Sequence, residues 1–240
     1  MTSDQFAQII IWVGLFLAVS GPVHESAHAY AAWRLGDGTA KLFGRLTLNP
    51  IVHFDPIGGL MLIFSAFASG GTFGFGWAKP TPVNPYNLRG RHADALVALA
   101  GPVSNLALAA VFAIVLRVVG PGNILIHNGE LFRFVYNGQI VSTMPTPLGL
   151  LALVCYTGVQ LNVVLAIFNL IPIPPLDGSR VVQYFLKGRA LQQYYAIERY
   201  GFAIILAVVF ILPRFTNFDL LGGYFNITAY PLLKLLTGVA

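Results

Sequence analysis

Uninterrupted apolar runs dominate this chain, and most are longer than a soluble helix or strand needs. Residues 6–33 hold one acidic residue, Glu25, and no Lys or Arg; residues 93–119, 147–171, 200–212 and 220–239 are similarly poor in charge. A helix rises ~1.5 Å per residue, so ~20 apolar residues cross a ~30 Å hydrocarbon core. These five runs predict transmembrane helices, the fourth of them short and bordered by Glu198 and Arg199. A further run, residues 57–69, is also short and is followed by Gly70 and Gly71, which predicts a re-entrant or interfacial segment. Two stretches between glycines carry β-forming residues: 42–48 (LFGRLTL) and 72–78 (TFGFGWA). They predict a small membrane-associated β-sheet, whose edge suits pairing with an extended peptide. The expected fold is all-α and polytopic, with about five spans, the re-entrant segment and that sheet, in one membrane-embedded domain over residues 1–240.

Composition supports the membrane reading. The chain is 56% hydrophobic and 10% charged, with mean hydropathy +0.72. A soluble domain carries roughly 25% charged residues, because its surface must be wetted. The net charge of +5 and pI near 9.5 raise the question of a nucleic-acid partner. The basic residues, however, lie in connections between apolar runs. Arg34, Lys41, Arg45, Lys79, Arg89 and Arg91 follow the first run, and Arg180, Lys187, Arg189 and Arg199 follow the third full span. With 57–69 re-entrant, both clusters fall on one side, as the positive-inside rule requires of the cytosolic face. The N-terminus is then outside, the C-terminus inside, and no nucleic acid is called for. Residues 1–6 contain no Lys or Arg, so the first run reads as a retained span rather than a cleaved signal. The single cysteine, Cys155, excludes an intramolecular disulfide and reads as helix packing.

The chemistry lies in the first span: His24-Glu25-Ser26-Ala27-His28, an HExxH. On a helix, positions i and i+4 share a face, so both imidazoles reach one metal ion, and the glutamate between them is placed to act as general base. Ionisable residues inside a span are costly and mark functional sites. The bland alternative is a histidine pair satisfied by interhelical hydrogen bonds. A catalytic zinc takes three protein ligands and keeps one position for water. Among the remaining acids and histidines, Asp177 stands apart. It ends Asn169-Leu170-Ile171-Pro172-Ile173-Pro174-Pro175-Leu176-Asp177-Gly178, whose prolines break a helix at the membrane boundary. Its carboxylate could turn towards the histidines, or simply cap the following helix.

HExxH in the first span, paired with this distal Asn-x-x-Pro-x-Pro-x-x-Asp-Gly, resembles the site-2 protease family of intramembrane zinc metalloproteases. Gly44-Arg45-Leu46-Thr47-Leu48-Asn49-Pro50, His53-Phe54-Asp55-Pro56 and Ala100-Gly101-Pro102-Val103-Ser104-Asn105 match as well, so the likeness extends over about residues 21–180. Without a PDZ insert or a nucleotide-sensing module, the chain resembles the minimal subgroup. The resemblance implies Zn2+ held by His24, His28 and Asp177, with Glu25 activating water and Asn169 donating to the oxyanion. It also implies cleavage of a peptide bond in or near the transmembrane segment of a membrane-anchored substrate. The protein would sit in a prokaryotic plasma membrane, its active site nearer the cytoplasm; a regulatory membrane partner or homo-oligomer stays open. Two other classes stay in view: a metal transporter using the same His/Asp cluster, and an inactive scaffold that binds membrane segments. Asn105 reads as a brace or a structural contact. His53 and Asp55 read as a second layer around the site or as the shape of a polar loop. Trp77-Ala78-Lys79-Pro80 reads as an interfacial anchor.

Overall fold

In the computed structural model three helices are long and apolar enough to cross a membrane: Ile9–Arg34, Ala93–Val118 and Gly149–Asn169. The structure describes residues 3–69, 74–119, 125–127, 130–136, 139–142, 147–215 and 219–238. A fourth crossing is reached only jointly by Gly188–Glu198 and Gly201–Ile211, which meet at a 68° bend. Three or four crossings are therefore what the described helices support, where the apolar pattern suggested five. The shortfall lies in the last run. Its helix, Leu220–Thr237, is interrupted by Asn226, Lys234 and an internal Pro231, which dilute its apolarity.

The first crossing is made of α1 (Ser3–Leu15), a π-helical turn at Phe16–Ser20 and α2 (Gly21–Arg34). Pro22 has no N–H for the preceding turn and its ring crowds the carbonyl four residues back. The wide turn, closed by Gly21 N–H on Phe16 O, absorbs the misfit. Two short helices follow, α3 (Thr39–Leu42) and α4 (Pro50–His53), then α5 (Pro56–Ala68). At 13 residues, α5 is ~20 Å long and too short for a full crossing. Asp55 caps it, accepting from Gly58 N–H at 2.8 Å. Ile57, Leu60 and Phe64 stand exposed on one face, while Leu62, Ser65 and Ala66 are buried.

Neither expected strand forms. Residues 43–48 lie mostly in turns and bends, and residues 74–84 carry no regular secondary structure; residues 72 and 73 fall outside the described set. β-forming side chains favour extended backbone, but a strand needs a neighbour to share its hydrogen bonds. Here α5 takes that place: Ser65 Oγ accepts from Phe75 N–H at 2.7 Å and lies 3.0 Å from the Phe75 carbonyl. The described strands, β1 (Leu125–His127), β2 (Glu130–Tyr136) and β3 (Gln139–Ser142), lie between the second and third crossings and pair antiparallel in that order.

Helices α6 (Ala93–Val119) and α7 (Pro147–Asn169) form the packing centre. Along α6, Val97, Gly101, Asn105, Ala109 and Ala113 recur every fourth residue and are all buried. That ridge of small side chains lets helices approach closely, the main source of helix association in lipid. Its back carries Val103, Val111, Ile114 and Val118, all exposed. A helix apolar on both faces fits a lipid surround. After α7 the proline-rich turn leads into α8 (Asp177–Phe185), α9 (Gly188–Glu198), α10 (Gly201–Leu206), a π turn at Ala207–Ile211, α11 (Leu212–Phe215) and α12 (Leu220–Thr237). Cys155 packs with Leu116 and Ala152 in the core.

Candidate metal centre

The HExxH lies on α2, about two to three turns from its basic end at Arg34, and both imidazoles do share a face. Their Nε2 atoms are 3.1 Å apart. Asp177, the first residue of α8, brings Oδ2 to 3.2 Å from His24 Nε2 and 3.3 Å from His28 Nε2. Asp177 does not cap its helix: the cap position is Leu176, with no side-chain hydrogen bond. Its placement depends on Gly178, where a Cβ would meet the Leu170 carbonyl oxygen at 2.2 Å. Backbone of α8 thus lies directly against the end of α7, turning the preceding carboxylate back towards α2.

Does this trio fit a metal? His28 Nδ1 faces the Val97 carbonyl at 2.8 Å, an acceptor only, so that nitrogen carries the ring proton. His24 Nδ1 faces Asn105 Oδ1 at 2.5 Å, with the same consequence. Neutral rings protonated at Nδ1 present lone pairs at Nε2, and Asp177 Oδ2 is buried without a hydrogen-bond donor. Three lone pairs therefore converge. Their edges of 3.1, 3.2 and 3.3 Å match the ~3.3 Å donor spacing of a tetrahedron with ~2.0–2.1 Å zinc bonds. The His/His/Asp set suits a catalytic zinc.

Glu25, His24, His28 and Asp177 line one cavity of about 400 Å³. Its apolar side is aromatic: Phe75 packs edge-on against Trp77, Phe168 and Phe210, and Trp77 against Phe202. Trp77 is therefore a cavity residue. Asn169 lines the cavity too. Its amide donates once to Leu165 O at 2.9 Å, which leaves its second N–H available. His53 and Asp55 do not line the cavity. His53 is buried beside the Thr47 carbonyl (2.8 Å), to which Ser26 Oγ also donates, and Asp55 caps α5. Asp55 shapes the loop, while His53 also lies 3.4 Å from Ser26 Oγ within the HExxH.

Several residues that sequence reading passed over hold the site. Thr81 N–H donates to Glu25 Oε2 at 2.8 Å, and its hydroxyl to the Glu25 carbonyl at 3.0 Å. At Gly101 a Cβ would stand 2.4 Å from His28 Nε2 and 2.7 Å from His24 Nε2. Arg180, on α8, pairs with Asp94 at the start of α6. The segment carrying Thr81 is pinned three residues on by Asp37, which is buried and accepts from Thr39, Asn84 and Asn87. Burial opposes the Asp37 charge, but those hydrogen bonds outweigh it and hold its pKa below the usual carboxylate value. Only Gly101 had a signal, its place in the matching stretch 100–105; Thr81 and Arg180 meet partners far away in sequence.

A membrane protein whose first span offers a His/Glu/His set to a distal aspartate is thus defined. Comparison with known proteins gives its kind: Peptidase family M50 matches residues 12–212. The chain belongs to that family, the site-2-type proteases. A Bacillus subtilis protein bearing the name of a zinc metalloprotease, YwhC, is 39% identical over 82% of this chain and 78% of its own length. The similarly named Rip2 of Mycolicibacterium smegmatis is 29% identical, covering 90% and 75%. Rip2 of Mycobacterium tuberculosis strain H37Rv is 28% identical, covering 96% and 76%. No solved structure gives a significant match.

Proposed function

We propose that this protease is a zinc-dependent intramembrane endopeptidase that cuts a peptide bond in or near the transmembrane segment of a membrane-anchored substrate. The observation that carries the reading is the convergence of His24, His28 and Asp177 lone pairs beside Glu25 in one cavity. Those three residues would hold the zinc. Bound there, it supplies a Lewis acid and a water of lowered pKa. Glu25 takes the proton of the attacking water and returns it to the leaving amine nitrogen, with Thr81 N–H holding one carboxylate oxygen. The free N–H of Asn169 donates to the developing oxyanion. The site lies towards the basic, cytoplasmic end of the first and third crossings, so water and substrate enter from that side of a plasma membrane. The aromatic wall selects an apolar side chain beside the scissile bond, and the substrate must unwind locally, since a helix hides its carbonyls in hydrogen bonds.

The test pairs zinc content with cleavage of a membrane-anchored peptide. Glu25→Gln should retain zinc and lose ~10²–10⁴ in rate, the range of a general acid–base contribution. His24→Ala should lose both. Full cleavage by the Glu25→Gln protein would end the assignment.

A further inference from the structure

Asn162 on α7 is fully buried, and the chemistry above gives it no part. Its Nδ2 donates to the Gly158 carbonyl at 2.8 Å. That oxygen can only accept, so the orientation of the Asn162 amide is settled at this end. Asn162 Oδ1 then accepts from Asn105 Nδ2 at 2.8 Å. This in turn leaves Asn105 Oδ1, and not its NH2, against His24 Nδ1 at 2.5 Å. A backbone carbonyl on one helix thereby dictates, through two amides, where the proton sits on an imidazole of another. His28 obtains the same outcome directly from the Val97 carbonyl.

We propose that Asn162 is a positioning residue that, through Asn105, keeps the His24 proton on Nδ1 and leaves Nε2 free to bind the metal. The inference rests on the reading of His24, His28 and Asp177 as a zinc site. A carboxamide is nearly symmetric in shape, so its direction is set by its partners. Without the Asn162 oxygen, Asn105 can turn over and offer NH2 to His24. The ring then accepts at Nδ1 and carries its proton on Nε2, where it faces Asp177 Oδ2 as a donor rather than a ligand. Outer partners of metal-binding histidines act in this way on ring tautomer and ligand strength.

The experiment measures zinc affinity of the full-length detergent-solubilised protein by competition with a chelator, and the visible spectrum of the cobalt(II)-loaded form. Asn162→Leu keeps the branched shape and the number of heavy atoms and removes the oxygen. It should weaken zinc binding by ~10–100-fold and alter the cobalt spectrum. Adding Asn105→Asp, whose carboxylate can only accept from His24, should restore affinity to within about threefold of wild type, given an outer partner of the proper polarity. Wild-type zinc affinity in Asn162→Leu overturns the proposal. A loss that Asn105→Asp does not restore also overturns it, by marking a packing defect. Failure of the wild-type chain to bind zinc would remove the metal reading itself, and this inference with it.

Discussion

The two halves of the α6–α7 pair are built on different principles. At the site end, the buried ridge of α6 carries Val97, Gly101 and Asn105, and each touches a histidine of α2: a carbonyl, a missing side chain and an amide. In the far half the same ridge continues as Ala109 and Ala113, packed on Val159, Val163 and Ala229. One helix therefore holds the candidate site at one end, while its ridge packs through apolar contacts further along. The site end cannot be repacked freely, because each atom there has a directional partner, whereas the far half needs only volume. Stability and chemistry are separable along a single helix.

The largest effect that separates the halves is expected at Gly101. Gly101→Ala puts a methyl where His28 Nε2 lies at 2.4 Å, and should lower zinc affinity at least about tenfold, as loss of ligand geometry does. Val159→Ala in the far half should leave zinc affinity unchanged and cost ~1–2 kcal/mol in unfolding free energy. Thermal unfolding alongside chelator competition checks both; a zinc effect at Val159 would erase the contrast. The smallest effect concerns pH. Asp37 has a lowered folded pKa, so its contribution is present above the unfolded value of 3.8 and is lost as pH falls through the lower folded one. Amide exchange at Thr39 and Asn84 should therefore accelerate only below pH 3.8, and Asp37→Asn should abolish that acid step. Equal acceleration in the far half would show that the two ends do not respond independently.

Much of this was legible in the residues. The spans at 6–33, 93–119 and 147–171 follow from apolar length alone, and HExxH predicts its own geometry, because i and i+4 share a helix face whatever the surroundings. Asp177 was reachable because its prolines announce a broken helix. The strands were misplaced: at 72–78 alternation signalled extension without revealing that Ser65 would take the Phe75 amide. The Asn-Gly pairs at 128–129 and 137–138, a strong hairpin signal, mark where the described strands lie. His53 and Asp55 sit within a family-like motif, yet motif membership does not distinguish a loop contact from a site contact.

What the chain determines by itself is everything governed by short spacing: which segments suit lipid, which two histidines meet, which glutamate lies between them, and where the third crossing stops. What only the tertiary structure decides is how groups distant in sequence meet. Thr81 reaches Glu25 across 56 residues, and Asn162 reaches Asn105 across 57. The physical reason is that a hydrogen bond depends on the position and direction of single atoms. No period or composition encodes those until the helices have packed.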